Sequence, residues 1–320
     1  MNKKLAITSF WPLGEEILQA IQAAAVGYDI IDLQNNPSDG DLSQTEIVFG
    51  NVDSQTLAKM PNVKWIHAQT AGVEGFLSSE YNLPADVILT NSSGGYGISI
   101  AEYMLTTTLM LLRNAPAYFV KQQQKDWSAA GRAYNIYGAK VLVIGLGDIG
   151  GRFGQICHGL GAKTVDGVVR SPRSQKPDYI HKLYTIDDLD AAIVDADIIA
   201  LALPGTGETA GVLTRARLAA LKKGAVIVNV GRGSAIDQDA LVDLLKAGHI
   251  GGAALDVTTP EPLPQDNPLW GLPNVIITPH ISHGGRDNTA QLVVGKFVEY
   301  VEDYIAGRPF KKVVDRQAGY

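Results

Sequence analysis

Cysteine is almost missing from this chain of 320 residues, which has one, Cys157. A single thiol excludes an intramolecular disulfide and a cysteine-based metal cluster, so no metal site is expected. Cys157 shares an apolar helical stripe with Phe153, Ile156 and Leu160, which points to packing. Long apolar runs are missing too. The longest, Tyr103 to Leu112, contains three threonines and is closed off by Glu102 and Arg113. It falls well short of the roughly 20 residues that span a bilayer. The N-terminus passes from Lys3 and Lys4 into Leu5-Ala-Ile-Thr8 without an apolar leader core, so a cytoplasmic protein with no membrane partner is expected. There is no excess of positive charge: 27 Lys and Arg face 33 Asp and Glu, for a net charge of -6. Without a basic stripe, nucleic acid is not an expected partner. No internal repeat or low-complexity tract interrupts the chain.

What is present is an alternation of short apolar runs with amphipathic ones. Leu5–Thr8, Asp29–Leu33, Glu46–Phe49, Lys64–His67 and Val87–Thr90 read as strands, and Gly14–Ala25 reads as a helix. This spacing predicts a parallel sheet with crossover helices, an α/β unit. Gln69-Thr-Ala-Gly-Val-Glu-Gly75 follows a strand end. It reads either as a backbone N–H cradle for a small anion or as a plain strand-to-helix turn. Asn91-Ser-Ser-Gly-Gly-Tyr-Gly97 is too glycine-rich for one rigid shape and reads as a hinge. From Ser99 to Lys125 the pattern is that of one long helix, apolar around most of its circumference and therefore expected to be buried on several sides. A second long amphipathic helix is expected over Asn288–Ile305, after which Lys311–Val314 could return to the first unit.

The chain is organised around Val141-Leu-Val-Ile-Gly-Leu-Gly-Asp-Ile-Gly150. A buried strand ends at Gly145, Gly147 and Gly150, the spacing of a phosphate-binding turn. The first glycine allows the turn, the second lets the backbone approach a pyrophosphate, and the third lets helix and strand pack. Asp148 and Ile149 open the following helix, whose N-terminal N–H groups suit an anion. A dinucleotide is the expected ligand. An acidic residue about 20 positions past the glycines, at the end of the second strand, would hold an NAD ribose. Here Val168 and Val169 stand at that point, Asp166 comes two residues early inside the strand, and Arg170, Ser171 and Arg173 follow. Two guanidiniums in place of a carboxylate favour a 2′-phosphate, so the expected cofactor is NAD(P), with NADP favoured over NAD. The alternative is that both arginines are solvated loop residues.

Further apolar runs end at Pro204, at Val230 and at Asp256, and strand-end loops of this kind should converge on the cofactor. Three of the loops each carry one reactive side chain: Arg232, Glu261 and His280. A cation that holds a carboxylate and polarises a carbonyl, together with a histidine charged and oriented by a nearby carboxylate, suits hydride transfer to a 2-keto acid.

Together Gly145–Gly150, Asn229-Val-Gly-Arg-Gly233, Ala254-Leu-Asp-Val257 with Glu261-Pro-Leu263, and Thr278-Pro-His280 resemble the D-isomer-specific 2-hydroxyacid dehydrogenases. Ile100-Ala-Glu-Tyr103 and Leu269-Trp-Gly-Leu-Pro-Asn274 add to the likeness, which covers nearly the whole chain. The resemblance implies two Rossmann-like, doubly wound parallel-sheet α/β domains. The cofactor domain, 99–284, would be inserted into a split flavodoxin-like substrate domain, 1–98 and 285–320, and two chains would form a homodimer. It also implies roles. Arg232 would bind substrate carboxylate and carbonyl, His280 would be the acid/base with Glu261 as its partner, Asp256 would face the nicotinamide, and Ala71, Gly72 and Val73 would donate N–H groups to the carboxylate. His283 is a second histidine, read as a pocket or surface group. The expected activity is reduction of a small 2-keto acid to the D-2-hydroxy acid, of the glyoxylate or hydroxypyruvate type. The alternatives are a short phosphoglycerate dehydrogenase-like enzyme, since the sequence ends at Tyr320 without room for a regulatory domain, and a dinucleotide-sensing interaction protein.

Overall fold

A computed structural model describes residues 2–34, 40–284 and 286–320; Gly285, at the expected domain boundary, lies outside them. The chain divides into two compact units, Met1–Tyr96 with Gly285–Tyr320, and Gly97–Gly284.

In the first unit β1 (Lys3–Thr8), α1 (Glu15–Ala24), β2 (Tyr28–Asp32), β3 (Thr45–Gly50), α2 (Ser54–Leu57), β4 (Trp65–Ala68), α3 (Glu74–Leu77) and β5 (Ile88–Asn91) follow in order. The five strands form one parallel sheet in the order β2-β1-β3-β4-β5. Strands β3 and β4 are buried along their whole length, as continuous apolar runs in a sheet covered on both faces must be. On one face Ala6, Val48, Ile66 and Leu89 pack with Leu57, Met60 and Phe76. On the other, Phe49 and Trp65 meet Phe297, with ring centroids 4.5 and 5.5 Å away. Val314 is buried, and its N–H donates to the Leu89 carbonyl at 2.9 Å, so the C-terminal segment does return to β5.

The boundary between the two units, Tyr96/Gly97, falls inside the stretch read as a hinge, and part of that stretch is packed. Ser92, Gly95 and Tyr96 are buried, and the Tyr96 hydroxyl donates to the Gln69 carbonyl at 2.6 Å. A Cβ on Gly95 would stand 2.9 Å from Val293 Cγ2, so close packing is what demands that glycine.

The second unit begins with α4 (Gly97–Leu112) and α5 (Ala115–Gln123). The single helix expected over 99–125 is thus two. Asn114 takes the left-handed conformation, φ 54°, which short polar side chains tolerate, and Pro116 falls in the first turn of α5, where its missing N–H costs nothing. Burial on α4 is confined to part of its circumference, with Ile98, Glu102, Thr106 and Leu109 exposed. There follow β6 (Lys140–Ile144), α6 (Asp148–Gly159), β7 (Thr164–Val169), β8 (Leu183–Thr185), α7 (Leu189–Ile193), β9 (Ile198–Leu201), α8 (Arg215–Ala220), β10 (Val226–Asn229), α9 (Gln238–Lys246), β11 (Gly252–Leu255) and β12 (Val275–Ile277). Helix α10 (Arg286–Ile305) belongs to the first unit. The seven strands form a parallel sheet in the order β12-β11-β10-β9-β6-β7-β8. The strand order reverses between β6 and β9, the place where open α/β sheets bind ligands. Cys157 packs in α6 beneath the sheet, and burial pushes its thiol up to about 12.

Candidate active site

The reactive residues of the second unit gather at one edge because its strands end in register. Just past each strand, one N–H donates to the neighbouring strand: Gly145 to Val168, Ala202 to Ile144, Val230 to Leu201, Asp256 to Asn229, and Thr278 to Leu255. Every chemistry-bearing loop therefore starts at the same carboxyl edge.

The three glycines of the turn differ in what the surrounding structure requires of them. Gly145 has φ 97°, and a Cβ there would strike the Ala202 carbonyl oxygen at 2.6 Å. A Cβ on Gly150 would sit 2.2 Å from the Gly145 oxygen, so the helix can pack on the turn only without one. Gly147 is different. It is exposed, has an ordinary φ of -88°, and a Cβ there would meet nothing within 4 Å. The protein itself does not need glycine at 147, whereas a backbone that must approach a pyrophosphate does, so the turn fits a dinucleotide. Asp148 and Ile149 open α6, and Asp148 accepts from Arg152 Nε at 2.8 Å. Pro204 and Val230 follow β9 and β10 on the same edge.

At the end of β7 the expected carboxylate is indeed missing. Asp166 pairs within the strand with Leu142, and its carboxylate accepts from the Lys182 N–H and faces His181. Arg170 reaches the Glu208 carboxylate with Nε and Nη2, each at 3.0 Å. Arg173 donates to the Leu146 carbonyl at 3.4 Å, beside the glycine turn, and Ser171 between them is exposed.

Arg232, Glu261 and His280 line one recess of about 260 Å³, together with Gly233, Ser234 and Thr258. Two glycines bracket Arg232 because two neighbouring segments touch there. A Cβ on Gly231 would lie 2.6 Å from the Leu203 oxygen, and one on Gly233 would lie 2.1 Å from the Thr258 carbonyl. Fully buried Asn229 pins the same turn, accepting from the Gly231 N–H at 3.0 Å and donating to the Arg232 carbonyl at 2.9 Å. His280 Nδ1 lies 2.9 Å from Glu261 Oε2, while Glu261 Oε1 accepts from the Thr258 N–H at 3.1 Å. An ionised carboxylate only accepts, so Nδ1 carries the proton and Nε2 is the basic nitrogen of the neutral ring. His280 also has φ 53°, a left-handed backbone that surrounding structure must impose on a non-glycine residue.

That imposition comes from Asp256, expected in another role, and from Thr278 and Tyr103, to which the sequence reading gave none. The Asp256 carboxylate is buried and accepts three hydrogen bonds from the histidine's own segment: Thr278 Oγ1 at 2.6 Å, Ile281 N–H at 2.9 Å and Ser282 N–H at 3.0 Å. The Asp256 carbonyl accepts from the His280 N–H at 2.9 Å. Because Thr278 gives its hydroxyl proton to Asp256, Tyr103 on α4 must donate to Thr278, at 2.6 Å. Burial pushes the Tyr103 phenol up to about 12. Asp256, expected at the nicotinamide, thus spends its carboxylate on holding the His280 loop. Tyr103 and Thr278 were visible only as parts of quoted motifs. His283 is half-buried on the same segment.

In the first unit, Gly72 and Val73 line a separate recess of about 180 Å³ with Asn51, Thr70, Phe76 and Tyr81. Side chains tie down two carbonyls of this loop: Asn91 donates to Ala71 at 2.7 Å and Thr70 to Gly72 at 2.6 Å. Among the described residues no three His, Cys, Asp or Glu side chains converge as a metal site would require, and no helix is long and apolar enough to cross a membrane.

The chain is similar to proteins of a known family. The family model described as D-isomer specific 2-hydroxyacid dehydrogenase, NAD binding domain, matches residues 105–282. A D-isomer specific 2-hydroxyacid dehydrogenase from Xanthobacter autotrophicus, solved with NADPH and MES, is 29% identical with a TM-score of 0.85 over 100% of both chains. The NADPH-dependent glyoxylate/hydroxypyruvate reductase of Sinorhizobium meliloti, solved with NADP and sulfate, is 26% identical with a TM-score of 0.85. It covers 99% of this chain and 100% of that one. The D-3-phosphoglycerate dehydrogenase of Archaeoglobus fulgidus is 30% identical over 82% of this chain but only 49% of its own length.

Proposed function

The chain belongs to the D-isomer specific 2-hydroxyacid dehydrogenase family of oxidoreductases, and on that premise we propose that it reduces small, unphosphorylated 2-keto acids with NADPH. The observation that carries this reading is the recess where Arg232 meets the His280–Glu261 pair, bonded at 2.9 Å. A bound nicotinamide supplies the hydride that reaches the carbonyl carbon. Arg232 holds the substrate carboxylate and draws charge onto the carbonyl oxygen. His280 gives its Nε2 proton to that oxygen as it becomes a hydroxyl, while Glu261 keeps the protonated ring oriented and stabilised. For each turnover one keto acid, one hydride and one proton become one hydroxy acid.

Support for an unphosphorylated substrate comes from the lining of the two recesses. A substrate phosphate would call for permanent cations, and Arg232 is the one arginine or lysine among the residues lining either of them. The likeness to a glyoxylate/hydroxypyruvate reductase along the whole chain fits this, whereas the chain spans about half of the phosphoglycerate dehydrogenase it matches. Support for NADPH comes from Arg170, Ser171 and Arg173 standing where a carboxylate would hold NAD, and two similar structures contain NADPH or NADP. Ala71, Gly72 and Val73 are proposed as carboxylate donors of the first unit. A homodimer is proposed because apolar side chains stand exposed along 118–137: Phe119, Val120, Tyr137 and a fully exposed Trp127.

The deciding experiment follows oxidation of NADPH and NADH with glyoxylate, hydroxypyruvate, pyruvate and phosphohydroxypyruvate. The expected result is NADPH-preferring turnover of one of the first three. Turnover with NADH and phosphohydroxypyruvate would replace this reading with a phosphoglycerate dehydrogenase-like one. Tight cofactor binding without turnover would replace it with a dinucleotide sensor.

A further inference from the structure

The end of β7 has no carboxylate of its own, and one reaches its arginine from elsewhere. Strands β7 and β9 lie on either side of β6, so the segments that follow them flank the glycine turn. Across that turn Glu208, from the segment after β9, meets Arg170, the first residue after β7. Both contacts are 3.0 Å, to Nε and to Nη2, which is a forked pairing. It is the same two-donor recognition that a guanidinium offers a phosphate. We infer that Glu208 is a specificity-determining residue that restrains the protein's preference for a 2′-phosphorylated dinucleotide by competing for Arg170. The inference rests on the NADPH reading above.

The physical argument turns on exposure. The side chains are 51% and 65% exposed, so the ion pair itself is weak and a phosphate can displace it. Displacement does not remove the carboxylate, which stays beside any phosphate that Arg170 holds. A phosphate monoester carries close to two negative charges at neutral pH, so the two groups repel. A 2′-hydroxyl suffers no such repulsion and can donate to the carboxylate. Glu208 therefore weakens the phosphorylated ligand and leaves the unphosphorylated one unharmed. Asp166 cannot substitute for it, since its carboxylate is engaged with the Lys182 N–H inside the strand region.

The test measures binding by calorimetry without turnover, using 2′,5′-ADP and 5′-AMP on the full chain. Glu208→Gln is expected to tighten 2′,5′-ADP about tenfold, the scale of one like-charge contact in water-like surroundings, while 5′-AMP changes less than about twofold. The gain should shrink as salt rises from 0.01 to 1 M, and it should be smaller in an Arg170→Ala background, where only the direct repulsion is left to relieve. If Arg170→Ala weakens 2′,5′-ADP but Glu208→Gln leaves the ratio of the two ligands unchanged, Glu208 is a bystander and the NADPH reading stands. If Glu208→Gln weakens 2′,5′-ADP, the carboxylate positions Arg170 rather than competing for it, which overturns the inference. If Arg170→Ala itself has no effect on 2′,5′-ADP, the arginine reading fails and this inference fails with it.

Discussion

The two units each pair a histidine with a carboxylate economy of its own, and they use them in opposite ways. In the first unit His67 sits inside β4, fully buried among Phe49, Trp65 and Phe297. Ser92 gives its proton to the Ala68 carbonyl, so His67 Nε2 must donate to Ser92, at 3.1 Å. With the one proton of the neutral ring on Nε2, Nδ1 accepts from Thr90 at 2.7 Å, and Thr90 in turn accepts from Trp65 at 2.8 Å. Both nitrogens are satisfied in a neutral ring, and burial brings its pKa down to about 3. Glu46 is likewise buried. Burial alone would raise its pKa, but the Tyr28 and Tyr304 hydroxyls, each at 2.8 Å, and the ammonium of Lys3, with Lys64 nearby, bring it down to about 2. In the second unit His280 and Glu261 stand beyond the strand ends with side chains 44% and 39% exposed. One sheet locks its polar groups into single protonation states, and the other leaves a histidine nitrogen available for exchange. The same residue types are sealed into the sheet in the first case and left accessible in the second because of where along the strand they fall.

The largest expected effect tests that division directly. His280→Gln should lower kcat about 10³-fold, the scale of a lost general acid, with the melting temperature almost unchanged. His67→Gln should do the reverse, destabilising the fold while the surviving folded protein keeps its kcat. A large kcat loss in folded His67→Gln would break the comparison.

Acid provides the next test. His67 has its folded pKa below the usual 6.5, so the unfolded chain takes up the proton first. Stability is full above about pH 6.5 and falls by up to about 1.4 kcal/mol per pH unit on the way down to about pH 3. Glu46 contributes stability above its usual 4.5 and loses it as the pH drops toward about 2, worth about 3 kcal/mol in all. Urea midpoints between pH 7 and 4 should therefore fall with acid, more steeply below pH 4.5. His67→Gln should flatten the upper part of that curve. An unchanged slope in the variant would sink the assignment.

A smaller effect sharpens the comparison within the second unit. Gly150→Ala forces a Cβ to within 2.2 Å of the Gly145 oxygen and should cost about 1–3 kcal/mol of stability in thermal melts. Gly147→Ala meets no neighbour within 4 Å, so the melt should be unchanged while the NADPH dissociation constant rises about tenfold. Equal melting losses in the two variants would mean that the turn's glycines are all structural.

Much of this was legible along the chain because the signals are local. Apolar runs of strand length, such as Val141–Ile144 and Ile198–Leu201, must be buried on both faces, and the glycines at 145, 147 and 150 announce the turn where they stand. Arg232, Glu261 and His280 each follow a strand, so their placement on one edge was foreseeable once the strands were parallel. The break at Asn114 was also written locally, in Asn114 and Pro116, but the apolar periodicity running through it masked the signal. The packing role of Gly95 within 91–97 was not legible, because the neighbour that requires it, Val293, lies about 200 residues away in the chain.

By itself, then, the sequence determined most of the strands and helices, where the glycine turn lies and which reactive side chains stand just past strand ends, because hydrophobic period and glycine geometry act over a few residues. The tertiary structure alone decided which polar groups meet. Tyr103 reaches Thr278 across 175 positions, Glu208 reaches Arg170 across 38, and Ser92, just past the end of β5, fixes the tautomer of His67. Those contacts depend on strand order and register. Both are set by how the apolar faces pack over the whole unit, and the polar residues along the chain carry no record of them.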